Sequence, residues 1–246
     1  MVGAAAAVLT PRRAVALVAV LAVLVAWDAG AGVLPDVGRW PDVLLVACLV
    51  LPVTLTVPWL ALPLAPTRAA VPLAAGLVLL AVAFDLAGFG ALFNVTKLLA
   101  LTLIGYVFTQ VFEALSWVVL IALIIPSVDA FSVWRGPTEY VVSEQPSLFD
   151  RISIAFRLPG EEGSANIGPP DILFFALFLS TAARFGLRVG WTWATMVALL
   201  VATLILTTVW DVVGLPALPA IALGFLLPNA DLIWKAWRER GLEVSG

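Results

Sequence analysis

Four acidic side chains lie within or beside long apolar segments of the sequence: Asp85, Glu113, Asp129 and Asp171. Ionisable groups inside a bilayer are costly and are usually kept for function, so a mechanism is sought first among these four. Asp85 precedes a glycine-containing break and Glu113 lies between two apolar segments, which favours structural roles near the membrane surface for both. Five further aspartates fall at the ends of predicted spans, where we expect them to be solvated: Asp28, Asp36, Asp42, Asp211 and Asp231.

Asp129 and Asp171 stand apart because one polar loop joins their two segments. Asp129 lies five residues before Trp134, which places it about 8 Å inside the end of its helix. Asp171 opens the next apolar segment, so both acids should reach the same side of the membrane at similar depth. Two carboxylates that share one proton can act as base and acid on a single water molecule.

A proline-bounded segment, residues 216–219, opens the last apolar stretch. Counting crossings from Asp171 to about Arg188, and back through 191–210, returns the chain to the side of the two aspartates. Proline has no backbone N–H, so an entrance with two prolines should be a rigid, extended or broken helix start. Such backbone is tolerated at membrane depth where it lines a cavity. We therefore expect three features to converge at one face of the membrane.

The composition indicates the kind of scaffold that must position these groups. The chain of 246 residues is 63% apolar and 12% charged, with a mean hydropathy of +1.10, whereas soluble domains carry roughly 25% charged residues. The absence of histidine excludes histidine-based triads and metal sites. The net charge of -3 gives no reason to expect a nucleic-acid partner. Cys48, in an apolar run, is predicted to be a small buried hydrophobe.

Apolar stretches of the length needed to cross a bilayer number eight by our count, and nine remains open. They lie near 14–34, 42–64, 69–90, 95–112, 114–134, 171–188, 191–210 and 214–234. The predicted fold is an all-α, multi-pass bundle of integral membrane helices. It divides into N-terminal membrane helices (1–134), a polar loop (135–168) and a C-terminal three-helix segment (169–246).

The polar loop contains one segment with a strand pattern. Between Arg151 and Leu158, apolar side chains alternate with polar or small ones, which is typical of a short β-strand. The alternation places Ile152, Ile154 and Phe156 on one face, and such a strand needs a partner.

The order of these motifs resembles the presenilin and signal peptide peptidase family of intramembrane aspartyl proteases, including its archaeal and bacterial homologues. Glu113 to Asp129, followed by Arg135-Gly136-Pro137, resembles the family's sixth helix, and Gly168-Pro169-Pro170-Asp171 resembles its Gly-x-Gly-Asp motif. The segment Pro216-Ala217-Leu218-Pro219 repeats its Pro-Ala-Leu-Pro motif. The resemblance spans residues 113–234. Val128 replaces the usual aromatic, and Pro170 replaces the glycine before the second aspartate.

The resemblance implies an aspartic endopeptidase that cleaves transmembrane-helix substrates in the bilayer, with Asp129 and Asp171 as the catalytic pair and no cofactor or metal. Residues 216–219 would contact the substrate. We further predict that Ile152, Ile154 and Phe156 bind an unwound substrate as an added strand.

Two other functions stay open at this level. An inactive family member could bind membrane helices without cutting them, because Pro170 alters the motif. An ion-coupled transporter would also place acids and a proline-broken helix at membrane depth. A prepilin peptidase is disfavoured, since its paired Cys-x-x-Cys motifs cannot be built from one cysteine.

Overall fold

The computed structural model describes residues 9–135, 151–160, 164–212 and 215–244. Its helices, in chain order, are α1 (Pro11–Gly30), α2 (Arg39–Leu45), α3 (Leu51–Ala61), α4 (Ala70–Leu86), α5 (Gly90–Val111), α6 (Leu115–Arg135), α7 (Pro169–Arg184), α8 (Val189–Val209), α9 (Leu218–Leu226) and α10 (Ala230–Val244). Strands β1 (Ile154–Arg157) and β2 (Ser164–Ile167) form a two-stranded antiparallel sheet.

Five helices are long and apolar enough to cross a membrane: Pro11–Val33, Arg39–Leu64, Gly90–Val111, Leu115–Val133 and Val189–Val209. Each coincides with a predicted span. The predicted span 69–90 holds the shorter helix Ala70–Leu86, and 171–188 holds α7, which has 16 residues. The predicted span 214–234 is broken between α9 and α10 by a 3-10 turn over Leu227–Asn229. The chain therefore has the helical, membrane-spanning character that its composition predicts, whereas eight or nine crossings stay a prediction.

Helix α7 lies at the centre of the bundle, between α5, α8 and α9. Its residues from Phe175 to Ala182 are all buried, and Phe178 stacks on Phe225 of α9 with ring centroids 4.9 Å apart. Two glycines allow this close packing. A Cβ at Gly105 of α5 would lie 2.5 Å from a backbone oxygen of α7, and one at Gly224 of α9 would lie 2.5 Å from the backbone of Met196 in α8.

A π-helical turn over Val46–Val50 joins α2 to α3. Pro52 lies just beyond it and cannot donate to the carbonyl of Cys48 four residues earlier, which accounts for the widened turn. Cys48 itself is exposed, so the prediction that it is buried was wrong. The turn presents its side chain to the outer surface of the bundle, and an apolar sequence run cannot distinguish that surface from the core.

The β-hairpin confirms a strand in the polar loop, but the strand is shorter than predicted. β1 begins at Ile154, and its partner β2 comes from the same loop, with Ile154 opposite Ile167 and Phe156 opposite Ala165. Ile154 and Phe156 are 2% and 4% exposed, as the alternation predicts. Ile152 precedes the strand in a helical turn and is 43% exposed, so it does not share their face.

Candidate functional site

Asp129 lies in the last two turns of α6 and is partly buried. Its Oδ2 accepts a hydrogen bond of 2.9 Å from the backbone N–H of Leu218, and the N–H of Ala217 is also directed at this carboxylate. Helix α9 begins at Leu218, so the carboxylate lies at a helix N-terminus, where backbone amides and the helix dipole favour negative charge.

The composition of the segment 216–219 explains this arrangement. Pro216 and Pro219 have no N–H, so Ala217 and Leu218 are the only residues of the four that can donate from the backbone. Both amides are directed at Asp129. Pro219 occupies the first turn of α9, a position where proline costs a helix nothing. The proline-bounded segment therefore acts as a two-amide binding site for the first aspartate.

Asp171 is the third residue of α7, and it caps its own helix. Its Oδ2 accepts a hydrogen bond of 3.1 Å from the N–H of Gly168, and its N–H donates to the Gly168 carbonyl, also over 3.1 Å. Pro169 and Pro170 form the first two helical positions, which need no N–H donors, and Pro170 is exposed. The turn from Gly168 to Asp171 is thus fixed at both ends by hydrogen bonds and between them by two pyrrolidine rings.

The three motifs meet because α9 packs against both α6 and α7, and α6 also contacts α7. Asp129 and Asp171 are close enough for the charge of one to act on the other. Two backbone amides hold the Asp129 carboxylate and one holds that of Asp171. Such a pair can keep one proton between its members and can bind a water molecule.

The hairpin leads directly into this site, because β2 ends at Ile167 and Gly168 follows. The outer edge of β1 is closed by the membrane helices. The side chain of Asn94 on α5 accepts from the N–H of Ala155 over 3.1 Å and donates to its carbonyl over 2.6 Å, and the Trp27 indole donates to the Arg157 carbonyl over 3.2 Å. Within the described residues, no strand lies beside the outer edge of β2.

Further contacts clamp the start of the hairpin. The Lys97 ammonium donates to the carbonyls of Arg151 and Ser153 over 2.9 and 2.5 Å, and Arg151 forms an ion pair with Asp85. Asp85 therefore has the structural role that the sequence favours. Glu113 is exposed in the turn between α5 and α6.

Asp42 departs from the expectation. The sequence places it at a span end, where we expected solvation, yet it is 2% exposed. Its burial depends on α8 and on the hairpin, both of which are distant in sequence. The only local sign is that it lies three residues after Arg39, on the same face of a helix.

Neither a scan against protein-family models nor a search of curated proteins finds a match to this chain. Among the residues that the structure describes, no group of three or more His, Cys, Asp or Glu side chains could hold a metal ion.

Proposed function

We propose that the protein is an intramembrane aspartyl protease that hydrolyses peptide bonds within or near transmembrane helices. One observation carries the proposal: Asp129 is held by the backbone of residues 217–218 and lies within electrostatic reach of Asp171. Three sequence-distant motifs thereby form one site on helices of a membrane bundle, in the order that the resemblance to presenilins and signal peptide peptidases implies.

The chemistry needs one protonated and one ionised carboxyl. The ionised member removes a proton from water, and the water oxygen attacks the carbonyl carbon of the substrate. The protonated member donates its proton to the carbonyl oxygen, giving a neutral tetrahedral diol. The diol then collapses: a proton passes to the leaving nitrogen, the C–N bond breaks, and a carboxylic acid and an amine are released. No covalent intermediate with the enzyme is formed.

A substrate helix must unwind before this attack, because its carbonyls are bound within its own helix. The closed edge of β1 changes the prediction that Ile152, Ile154 and Phe156 bind the unwound segment. Ile154 and Phe156 face the bundle, and the helices occupy their outer edge. We infer instead that the segment adds to the outer edge of β2. That edge runs into Gly168, so a strand paired there would extend toward Asp171.

Pro170 is compatible with catalysis in this geometry. It occupies the second position of α7 and is exposed, and a proline in the first helical turn neither breaks the helix nor removes a needed N–H donor. The rigid turn fixes the direction of the Asp171 side chain, which supports preorganisation of the pair. Pro170 is thus accommodated by the start of α7, and the inactive alternative is left to the experiment below.

The test uses purified protein in detergent or lipid with a membrane-helix peptide. We expect Asp129→Asn and Asp171→Asn each to reduce cleavage by about 10²- to 10⁴-fold, the usual contribution of a general acid or base. Glu113→Gln, which removes an exposed carboxylate in a turn, serves as the matched control and should retain cleavage. Products that persist in both aspartate variants would exclude the pair. Binding of the peptide without cleavage by the wild type would favour an inactive family member.

A further inference from the structure

The buried acid Asp42 has no partner within the described residues that accounts for its position. It lies in α2, and neither of its carboxylate oxygens has a hydrogen-bond partner within the described part of the chain. Buried carboxylates in proteins are nearly always paired, because a charge removed from water without compensation is strongly unfavourable. The unpartnered carboxylate of Asp42 is therefore a candidate for binding a ligand.

Asp42 lines a cavity of about 230 Å³ between α2, α8 and the hairpin. The walls are otherwise mainly aliphatic: Val43, Val46, Leu158, Ala165 and Leu204. A single carboxylate among aliphatic walls does not provide the six or more oxygens that Ca²⁺ takes. It matches an organic monocation whose charged end is carried on an apolar stem, as in lysine or arginine.

Among the described residues that line the cavity, Arg39 is the one cation, and its guanidinium is held outward. The guanidinium of Arg39, at the cavity rim, forms an ion pair of 2.6 Å with Asp211, the residue that follows Trp210 at the end of α8. Both side chains are more than half exposed, at 58% and 80%. This pair neutralises Arg39 and keeps it away from Asp42, which leaves the buried carboxylate available to another cation.

The position of the cavity relative to β2 identifies the occupant. Side chains that are directly opposite on neighbouring strands lie on the same face of a sheet, and Ala165 of β2 lines the cavity. A substrate strand added to β2 would therefore direct the side chain opposite Ala165 toward Asp42. Gly168 lies three positions after Ala165, which corresponds to about 10 Å of extended chain.

We propose that the Asp42 cavity is a specificity subsite for a lysine or arginine side chain of the substrate, about three residues from the cleaved bond. This inference rests on the proposed function, because it uses the same added strand. It identifies the substrate class as a membrane segment with a basic residue near the site where it is cut.

The test separates binding from cleavage. One series of labelled membrane-helix peptides carries a lysine, placed at a different position in each peptide. A matched series carries norleucine, which has no charge, at the same positions. The affinity of each peptide is measured by fluorescence anisotropy in the Asp171→Asn background, where the peptide stays intact. At one position we expect lysine to bind on the order of tenfold tighter than norleucine, which is the effect of one charge-assisted hydrogen bond.

Three further variants test whether Asp42 is the source of the selectivity for lysine. Asp42→Asn should bring the lysine-to-norleucine ratio to about one, a loss on the order of tenfold. Asp211→Asn should also lower this ratio, although Asp211 does not line the cavity, because the substitution releases Arg39 to pair with Asp42. Asparagine tolerates the positive φ of 52° at position 211. Asp231→Asn, which removes an exposed acid paired with Arg188, should leave the ratio unchanged. Thermal unfolding of each variant checks that it is folded.

The outcomes are distinct. Equal affinity for both peptides at every position, or selectivity that survives Asp42→Asn, would overturn the subsite. Cleavage by the wild type without lysine selectivity would overturn the subsite and keep the protease. Lysine-selective binding that depends on Asp42, in a protein that cleaves nothing, would keep the subsite and overturn the protease.

Discussion

Substitution of Asn94 tests most directly whether α5 holds the hairpin in place. The side-chain amide of Asn94 makes two hydrogen bonds to Ala155, of 2.6 and 3.1 Å, and so takes the place of a neighbouring strand at the edge of β1. Asn94→Leu keeps the approximate size of the side chain and removes both bonds. At about 1 kcal/mol for each net hydrogen bond, the hairpin should lose about 2 kcal/mol against local opening. The open population should then rise about 30-fold.

Hydrogen exchange followed by mass spectrometry measures this opening. A peptide that covers β1 should exchange about 30-fold faster in Asn94→Leu, whereas peptides from α7 should exchange at the wild-type rate. Asn94→Asp is the matched control. It keeps the acceptor for the Ala155 N–H and loses the donor, so the expected increase is about fivefold, corresponding to about 1 kcal/mol. Wild-type exchange of the β1 peptide in Asn94→Leu would refute the reasoning that α5 holds the hairpin.

Two further predictions concern packing and pH. Gly105→Ala should lower the melting temperature through overpacking of about 1–3 kcal/mol, since its Cβ would lie 2.5 Å from the Leu173 carbonyl oxygen. Gly76→Ala, whose Cβ meets nothing within 4 Å, should stabilise by about 0.5–1 kcal/mol; shifts of the same sign would contradict this. Hydrogen bonds from Arg188 hold the pKa of Asp231 below its ordinary value. The pair therefore stabilises the fold at neutral pH, and this contribution is lost as the pH falls through the lowered pKa. Arg188→Gln should raise the Asp231 pKa toward its ordinary value, and a carboxyl titration by NMR that shows no upward shift would contradict it.

The sequence predicts that Asp129 and Asp171 reach one end of the bundle, and in the structure the helices of both residues pack against α9. Span length fixes how far a helix carries the chain across a bilayer, and the loop between the two helices returns both acids to one end. The five helices that are long enough to cross a bilayer coincide with predicted spans, because apolar length is a local property of the sequence. The strand pattern of the loop also succeeded at Ile154 and Phe156, since alternate burial is a local property of a strand.

The sequence did not predict contacts that depend on the approach of distant elements. The N–H of Leu218 reaches Asp129 only because α9 packs on α6, and no local pattern encodes that docking. Asp42 is buried by α8 and the hairpin, so its place at a span end gave the opposite expectation. The prediction that Cys48 is buried was wrong for a related reason. Lipid and protein core are equally apolar, so hydropathy does not show which of the two a residue faces.

The length of α7 connects the hairpin to the depth of the site. A helix of 16 residues spans about 24 Å, less than the roughly 30 Å of hydrocarbon. Arg184 ends α7, and a cation there favours the membrane boundary. The end that bears Asp171 would then lie several ångströms inside the bilayer, as would the end of β2.

Backbone polar groups at that depth require partners. β1 obtains them from β2 on one side and from side chains of α1 and α5 on the other. The outer edge of β2 has no strand beside it within the described residues. In the proposed reaction, the N–H and C=O groups of an unwound substrate would lose their helical partners. Pairing with β2 would provide new partners for the substrate backbone next to Asp171, so that unwinding would be favoured only where the peptide bond can be cut.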